Sequence, residues 1–220
     1  MNSITRAPDS PVGRKSTKNS EVDAPVNVIS FGGLSFAHNG LPVTIVWESQ
    51  KARLLFCYLL VTHDQWVHRD RLIELLWPGC DAAAGANNFK TTISRLRKSF
   101  SGPLALNPVV TQGEAVRLNI ASLICDASEF RHKAISGIKL LARGEMKNAR
   151  NSLEAAQDVY TGPFLPEEPF NDFITSTRIE LANLHASVLN SLEKIYQQEG
   201  NLNALEFITF LRSSPFTELA

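Results

Sequence analysis

The sequence predicts an α+β unit followed by an all-α unit, on three observations. From Val26 to Trp47 the apolar residues come in short β-rich runs, broken at Gly32-Gly33 and at Asn39-Gly40, a strong signal for a tight hairpin turn. From Ser49 the apolar period lengthens to that of helices, and β runs return only at "PVVTQGEAVRLN". From Asp126 onward the pattern is helical, with Gly144, Gly162 and Gly200 at the breaks.

Taken in order, residues 1–25 are rich in Ser, Asn, Pro and charge with almost nothing apolar to bury, and read as a disordered tail. Three short antiparallel strands follow from Val26. "WESQKARLLFCYLLVTHDQ" then sets Ala52, Leu55, Phe56, Leu59 and Leu60 at helical spacing behind Ser49 as N-cap. "VHRDRLIELLWPG" gives a shorter helix with Leu72, Ile73, Leu75 and Leu76 inward, ended by Pro78 and Gly79, with Trp77 as core. A third helix is expected over Ala82–Ser99, capped by Asp81 and broken at Gly102-Pro103, and a hairpin over 109–118 turns around Gln112-Gly113-Glu114. After Asp126 come four helical segments, two of which repeat a glycine, a polar residue and an Ala-Leu-rich helix: "GEMKNARNSLEAA" and "GNLNALEFITFL". Stacked helical hairpins of the tetratricopeptide kind suit such units. The chain stops at "SSPFTELA", about where another unit would start, so it is expected to be a short form or a piece of something longer.

The longest strongly apolar run, Leu54 to Val61, is far short of the roughly 20 residues that span a bilayer. The N-terminus has no apolar stretch after its charges, so neither membrane nor secretion is expected and the cytoplasm is. Cys57, Cys80 and Cys125 are odd in number and far apart, which suits reduced side chains. Charge is uneven: residues 47–120 hold three more Lys+Arg than Asp+Glu, and residues 121–220 hold four fewer.

The positive charge concentrates in "NNFKTTISRLRKSF", Asn87 to Phe100, which has four cations and no acid. At about 100° per residue, Phe89, Ile93, Leu96 and Phe100 form one stripe with Ala86 at its edge. Opposite lie Asn87, Thr91, Ser94 and Lys98, flanked by Lys90 and Arg97 on one side and Asn88 and Arg95 on the other. A solvated helix face usually mixes Glu with Lys at four-residue spacing, and this one does not. The face is either basic surface or a surface made to meet a polyanion. The major groove of B-DNA, about 12 Å wide, admits one helix, and Arg, Lys, Asn, Thr and Ser are the residue types that contact base edges and phosphates. A short helix, then this one, then a hairpin is the layout of a winged helix-turn-helix: a three-strand platform, three helices and a β-hairpin wing, here followed by an all-α TPR-like domain.

"ISFGGLSFAHNGLPV", "QKARLLFCYLL", "RDRLIELLWP", "ANNFKTTISRLRKSF" and "VVTQGEAVRLN" resemble, in this order, the response-regulator (OmpR/PhoB) type of winged helix found in bacterial antibiotic-regulatory proteins, over Val26 to Ile120. "DASEF", "YTGPFLPEEPFNDFITSTRIEL" and "LEKIYQQEGNLNAL" are similar to the bacterial transcriptional activator domain, its helical partner. The resemblance implies a DNA-binding domain over 26–120 and a helical domain over 121–220. It makes Ala82–Ser99 the recognition helix and the 109–118 hairpin the wing, whose Arg117 is placed to touch the minor groove or backbone. The second helix would turn Arg69 and Arg71 towards phosphate, although Arg71 could equally pair with Asp70 or Glu74 on its own helix. Phe89 stands where the family often has Leu, which bears on packing and not on readout. Double-stranded DNA is the implied partner, with RNA polymerase or a second protomer meeting the helical domain.

Enzymatic readings lack candidates: there is no phosphate loop, no nucleophile elbow and no zinc-protease helix motif. His63 and His68 lie five apart across an expected turn without a further ligand, and Glu167-Glu168 reads as a solvated, Pro-bounded connection. No cofactor and no metal are expected. The other alternative is an adaptor whose winged helix does not bind DNA. The operator, the effector and the choice between activator and repressor are not written in the residues.

Overall fold

The computed structural model describes residues 25–62 and 65–213. The expected tail lies outside the described residues except for Pro25, as do His63 and Asp64. The three expected strands are present as β1 (Val26–Ile29), β2 (Ser35–His38) and β3 (Leu41–Val43), paired antiparallel in that order. Asn39 and Gly40 both take positive φ, 52° and 77°, which a two-residue turn between right-twisted strands requires. A fourth strand, β7 (Leu123–Cys125), joins parallel to β1 with Val26 opposite Leu123 and Val28 opposite Cys125.

Three helices follow the platform: α1 (Gln50–Thr62), α2 (Arg69–Leu76) and α3 (Ala82–Ser101). Ser49 Oγ accepts from Ala52 N at 3.2 Å and Asp81 Oδ1 from Ala84 N at 2.9 Å, the caps their residue types predict. Helix α2 buries Leu72 and Leu76 and leaves Ile73, Leu75 and Trp77 half-buried. Helix α1 buries more than its amphipathic stripe, because Cys57 and Tyr58 on its other side are also covered. The wing pairs β5 (Val109–Gln112) with β6 (Ala115–Leu118), and the two-residue β4 (Val67–His68) adds to β6 as a third strand.

The rest is four helices, α4 (Asp126–Ala142), α5 (Met146–Val159), α6 (Asp172–Glu199) and α7 (Leu202–Ser213). Helices α4 and α5 pack so closely that a Cβ on Gly137 would lie 2.6 Å from Leu153 Cγ. In their core with α6, the His185 ring stacks on Tyr160 at 3.9 Å and its Nε2 lies 2.7 Å from Gln157 Oε1. Burial pulls this imidazole down to about 4, and pushes the Cys57 and Cys125 thiols up to about 12.

One hydrophobic core runs through both halves. Residues 30–32, which leave β1, are gripped by the helical half. Asp126 at the start of α4 accepts from Ser30 N at 2.8 Å, Phe31 N at 3.0 Å and Ser30 Oγ. Beyond α5, Pro163 O accepts from Gly32 N and Ser30 O from Leu165 N, both at 2.9 Å. Leu165 is buried with φ 44°, a conformation a branched residue holds only when its surroundings enforce it. The enforcing group is Arg178 of α6, itself 8% exposed, whose guanidinium donates to the carbonyls of Phe164 (2.7 Å), Leu165 (2.6 Å) and Glu168 (3.1 Å). The same loop presents Glu167 and Glu168 to Arg53 of α1, and Glu167 also accepts from Leu34 N at 2.8 Å. That corrects their reading as a solvated connection: their partner lies more than a hundred residues away, beyond what local spacing can reveal.

Arg178→Met keeps an apolar stem but removes the guanidinium that donates to three carbonyls, of which only Leu165 O retains another donor, Glu168 N, so it should cost about 2–4 kcal/mol in urea unfolding. The pH dependence of that unfolding follows from His185. Its unfolded imidazole titrates near 6.5 and its folded one near 4, so between those values the unfolded state binds more protons. Stability is full above that window and falls as pH drops through it, by up to about 3 kcal/mol, and His185→Gln should flatten the urea midpoints across it.

Candidate nucleic-acid interface

Helix α3 is fixed from its inner face. Gly85 lets it lie against α2, since a Cβ there would meet Ile73 Cγ2 at 2.7 Å and Cys80 Sγ at 3.1 Å. Ile93, Leu96 and Phe100 are buried, and Phe89 is half-buried. Phe100 joins Phe36, Trp47 and Phe56 in an aromatic cluster with ring centroids 5.3 to 6.1 Å apart, tying the helix to the platform and to α1. Ser99 is buried too: its Oγ accepts from Glu48 N and donates to Arg95 O, both at 3.1 Å.

The outward face divides in two. Asn87, Asn88, Lys90, Thr91, Ser94 and Arg95 are exposed, and among the described residues no side-chain hydrogen bond or ion pair engages them. Nearer the C-terminus, Lys98 Nζ lies 3.0 Å from Glu48 Oε2, and Arg97 Nε donates to Asn107 Oδ1 at 3.3 Å. The expectation that these cations have no counter-charge therefore fails at Lys98. Glu48 lies in the segment before α1, fifty residues from its partner, where helical periodicity does not look.

The cations outside α3 are also engaged. Arg69 Nη2 lies 2.5 Å from Glu114 Oε1 and its Nε 3.3 Å from Asp70 Oδ1. Arg71 pairs with neither Asp70 nor Glu74; its guanidinium lies over the Phe173 ring of α6, 5.9 Å from the centroid. Arg117 lies over Trp66 at 4.6 Å, the two facing each other where the β4–β6 register extends by one residue. Sequence reasoning passed over Thr111 and Gln112, which are exposed at the wing beside Gly113. They carry no charge, and only the hairpin signal marked their position. What the structure brings together is a stripe of amides, hydroxyls and two cations on a helix locked from behind, about 30 Å long, while the hairpin tip reaches the start of α2.

Residues 125–210 match the model of the bacterial transcriptional activator domain. Across most of the chain the sequence is similar to named regulators. It is 25% identical over 198 residues to the transcriptional regulatory protein EmbR of Mycobacterium tuberculosis, covering 86% of this chain and 50% of that protein. It is 27% identical over 161 residues to the transcriptional regulatory protein MoaR1 of the same organism, covering 72% of this chain and 51% of that one. The described order of elements, a strand platform, three helices, a hairpin and then four helices, fits a winged helix followed by that helical domain. A solved structure of Mycobacterium tuberculosis EmbR with a low-affinity phosphopeptide superposes with a TM-score of 0.67 at 20% identity, over 86% of this chain and 51% of that one, and shows the same fold. The chain spans about half the length of the curated relatives it matches. Among its described residues no helix is long and apolar enough to cross a membrane.

The division of α3 into a locked face and an open one has a stability signature. Phe100→Ala should cost about 3–5 kcal/mol, whereas Lys98→Ala, which removes an exposed ion pair, should change stability by less than about 1 kcal/mol. Equal losses in urea unfolding would mean that the two faces are wrongly assigned.

Proposed function

We propose that the chain is a sequence-specific DNA-binding regulator that acts as a transcriptional activator and reads the major groove with α3. The observation that supports this best is the outward stripe Asn87, Asn88, Lys90, Thr91, Ser94 and Arg95, polar or cationic throughout and left unpartnered on a helix whose other face is buried. Asn pairs bidentately with adenine, Arg with guanine, and Thr, Ser and Lys serve bases or phosphates. Arg97, Lys98, Arg71 and Arg117 stand around the stripe as backbone contacts that DNA would have to draw from their present partners, while Arg69 stays with Glu114. In this reading residues 26–120 are the reader and 121–220 the module that meets RNA polymerase, a second protomer or an effector. The acidic balance of that module makes it a poor DNA surface, and Phe207 and Phe210 on α7, 55% and 65% exposed, give it an apolar face for a protein partner. The regulator works in the cytoplasm and is not an enzyme.

The test is selection of genomic fragments by the full chain, followed by a salt titration on the tightest fragment. Binding should weaken steeply with salt as phosphate contacts release counterions. Asn87→Ala should lose about 1–3 kcal/mol on that fragment and much less on a scrambled duplex, whereas Lys90→Ala should weaken both alike. If both variants bind both duplexes like the wild type, α3 is not the reader. If the chain selects no fragment but captures a protein tightly, the adaptor reading replaces this one.

A further inference from the structure

The wing turns with an acid at its tip. Glu114 is exposed beside Gly113, yet its side chain folds back onto the start of α2. One carboxylate oxygen reaches Arg69 Nη2 at 2.5 Å, the other lies 3.3 Å from His68 Nε2, and its backbone carbonyl accepts from Arg69 N at 2.8 Å. Asp70 brings a second carboxylate, 3.3 Å from Arg69 Nε and 3.5 Å from His68 Nδ1. Arg69 opens α2, whose N-terminal dipole end favours an anion, so a guanidinium in this position is well placed for phosphate. A carboxylate and a phosphate offer it the same paired oxygens.

We propose that Glu114 masks Arg69 and so sets the balance between selective and indiscriminate DNA binding. This rests on the DNA-binding reading above. The Glu114 carboxylate occupies the place on Arg69 that a phosphate oxygen would take, and its own charge repels backbone phosphates within about 10 Å at ordinary salt. Both effects lower the sequence-independent part of the affinity. Neither touches the stripe on α3, so discrimination by Asn87 and its neighbours makes up a larger share of what remains. The wing thus limits binding that phosphates alone would drive, while its backbone stays held to α2 by the hydrogen bond from Arg69 N.

The test compares the full-length wild type, Glu114→Gln, Arg69→Gln and the double variant on two duplexes, the tightest selected fragment and a scrambled one, across a potassium chloride series. In Glu114→Gln the freed Arg69 adds one phosphate contact. The slope of log affinity against log salt should steepen by about 0.9, and binding at 0.1 M should tighten by about eightfold. The scrambled duplex should gain at least as much as the selected one, so the ratio between them does not rise. Arg69→Gln alone should leave the slope unchanged, and added to Glu114→Gln it should restore the wild-type slope. Three results overturn the masking: an unsteepened slope in Glu114→Gln, a loss of affinity confined to the selected duplex, which would make Glu114 a base reader, or a shallower slope in Arg69→Gln alone, which would mean that Arg69 already holds phosphate. The last arm stands even if Glu114→Gln fails to fold. If the wild type binds DNA and the slopes do not move, only the masking falls; if no protein in the set binds either duplex, the DNA reading falls and takes the masking with it.

Discussion

Everything in this molecule is arranged around three residues, Ser30, Phe31 and Gly32, where the chain leaves the first strand. Their backbone groups are satisfied by Asp126 on one side and by the 161–165 loop on the other, with Thr161 Oγ1 adding a bond to Phe31 O at 3.3 Å. The Phe31 ring meets Phe130, Tyr160 and Phe164, all of the helical half. A buried backbone segment needs every polar group paired, and here nearly all of the partners come from beyond residue 120. The platform is therefore completed by the chain that follows it, and the helical half cannot shift without unpairing β1.

That grip reaches α3 in two steps. The loop that holds residues 30–32 also offers Glu167 and Glu168 to Arg53, and Asn171 donates to the Tyr58 hydroxyl at 2.9 Å, so α1 is seated from outside. Helix α1 then carries Phe56 into the aromatic cluster that anchors Phe100. Arg53 is spent in pairs that hold this frame, whereas Lys98 and Arg97 meet Glu48 and Asn107 at its exposed edge. The distinction between Arg95, without a side-chain partner, and Arg97 or Lys98, each with one, comes from this geometry and not from residue type.

Much of this was legible in the residues. Caps at Ser49 and Asp81, the turn at Asn39-Gly40, the buried stripe of α3 and the helix breaks at Gly144 and Gly200 all follow from local chemistry, and local chemistry is what one sequence displays. What escaped was long-range. Strand β7 is three residues without its own turn signal, and becomes a strand only because β1 lies beside it. Cys57 and Tyr58 fall outside the amphipathic stripe of α1, and Tyr58 is covered by the start of α6, its ring against Phe173 and its hydroxyl on Asn171. Glu168 read as solvated, and Glu48 and Glu114 gave no sign of pairing, because each has a partner that no window of ten residues contains. At the candidate site, helical periodicity foresaw the exposure of Asn87, Thr91 and Ser94, but not the pairing of Lys98 with Glu48 or of Arg69 with Glu114.

The parallel pairing of β7 with β1 also bears on how such regulators can be recombined. A strand with an unpaired edge invites pairing with another chain, and among the described residues, 123–125 cover β1 on that side. A chimera that took residues 26–120 alone and attached a foreign partner would bare that edge and the Phe31 pocket together. The block that can be exchanged intact has to include Asp126, the loop at 161–168 and Arg178 as well, so the inheritable module is larger than the stretch that would face DNA.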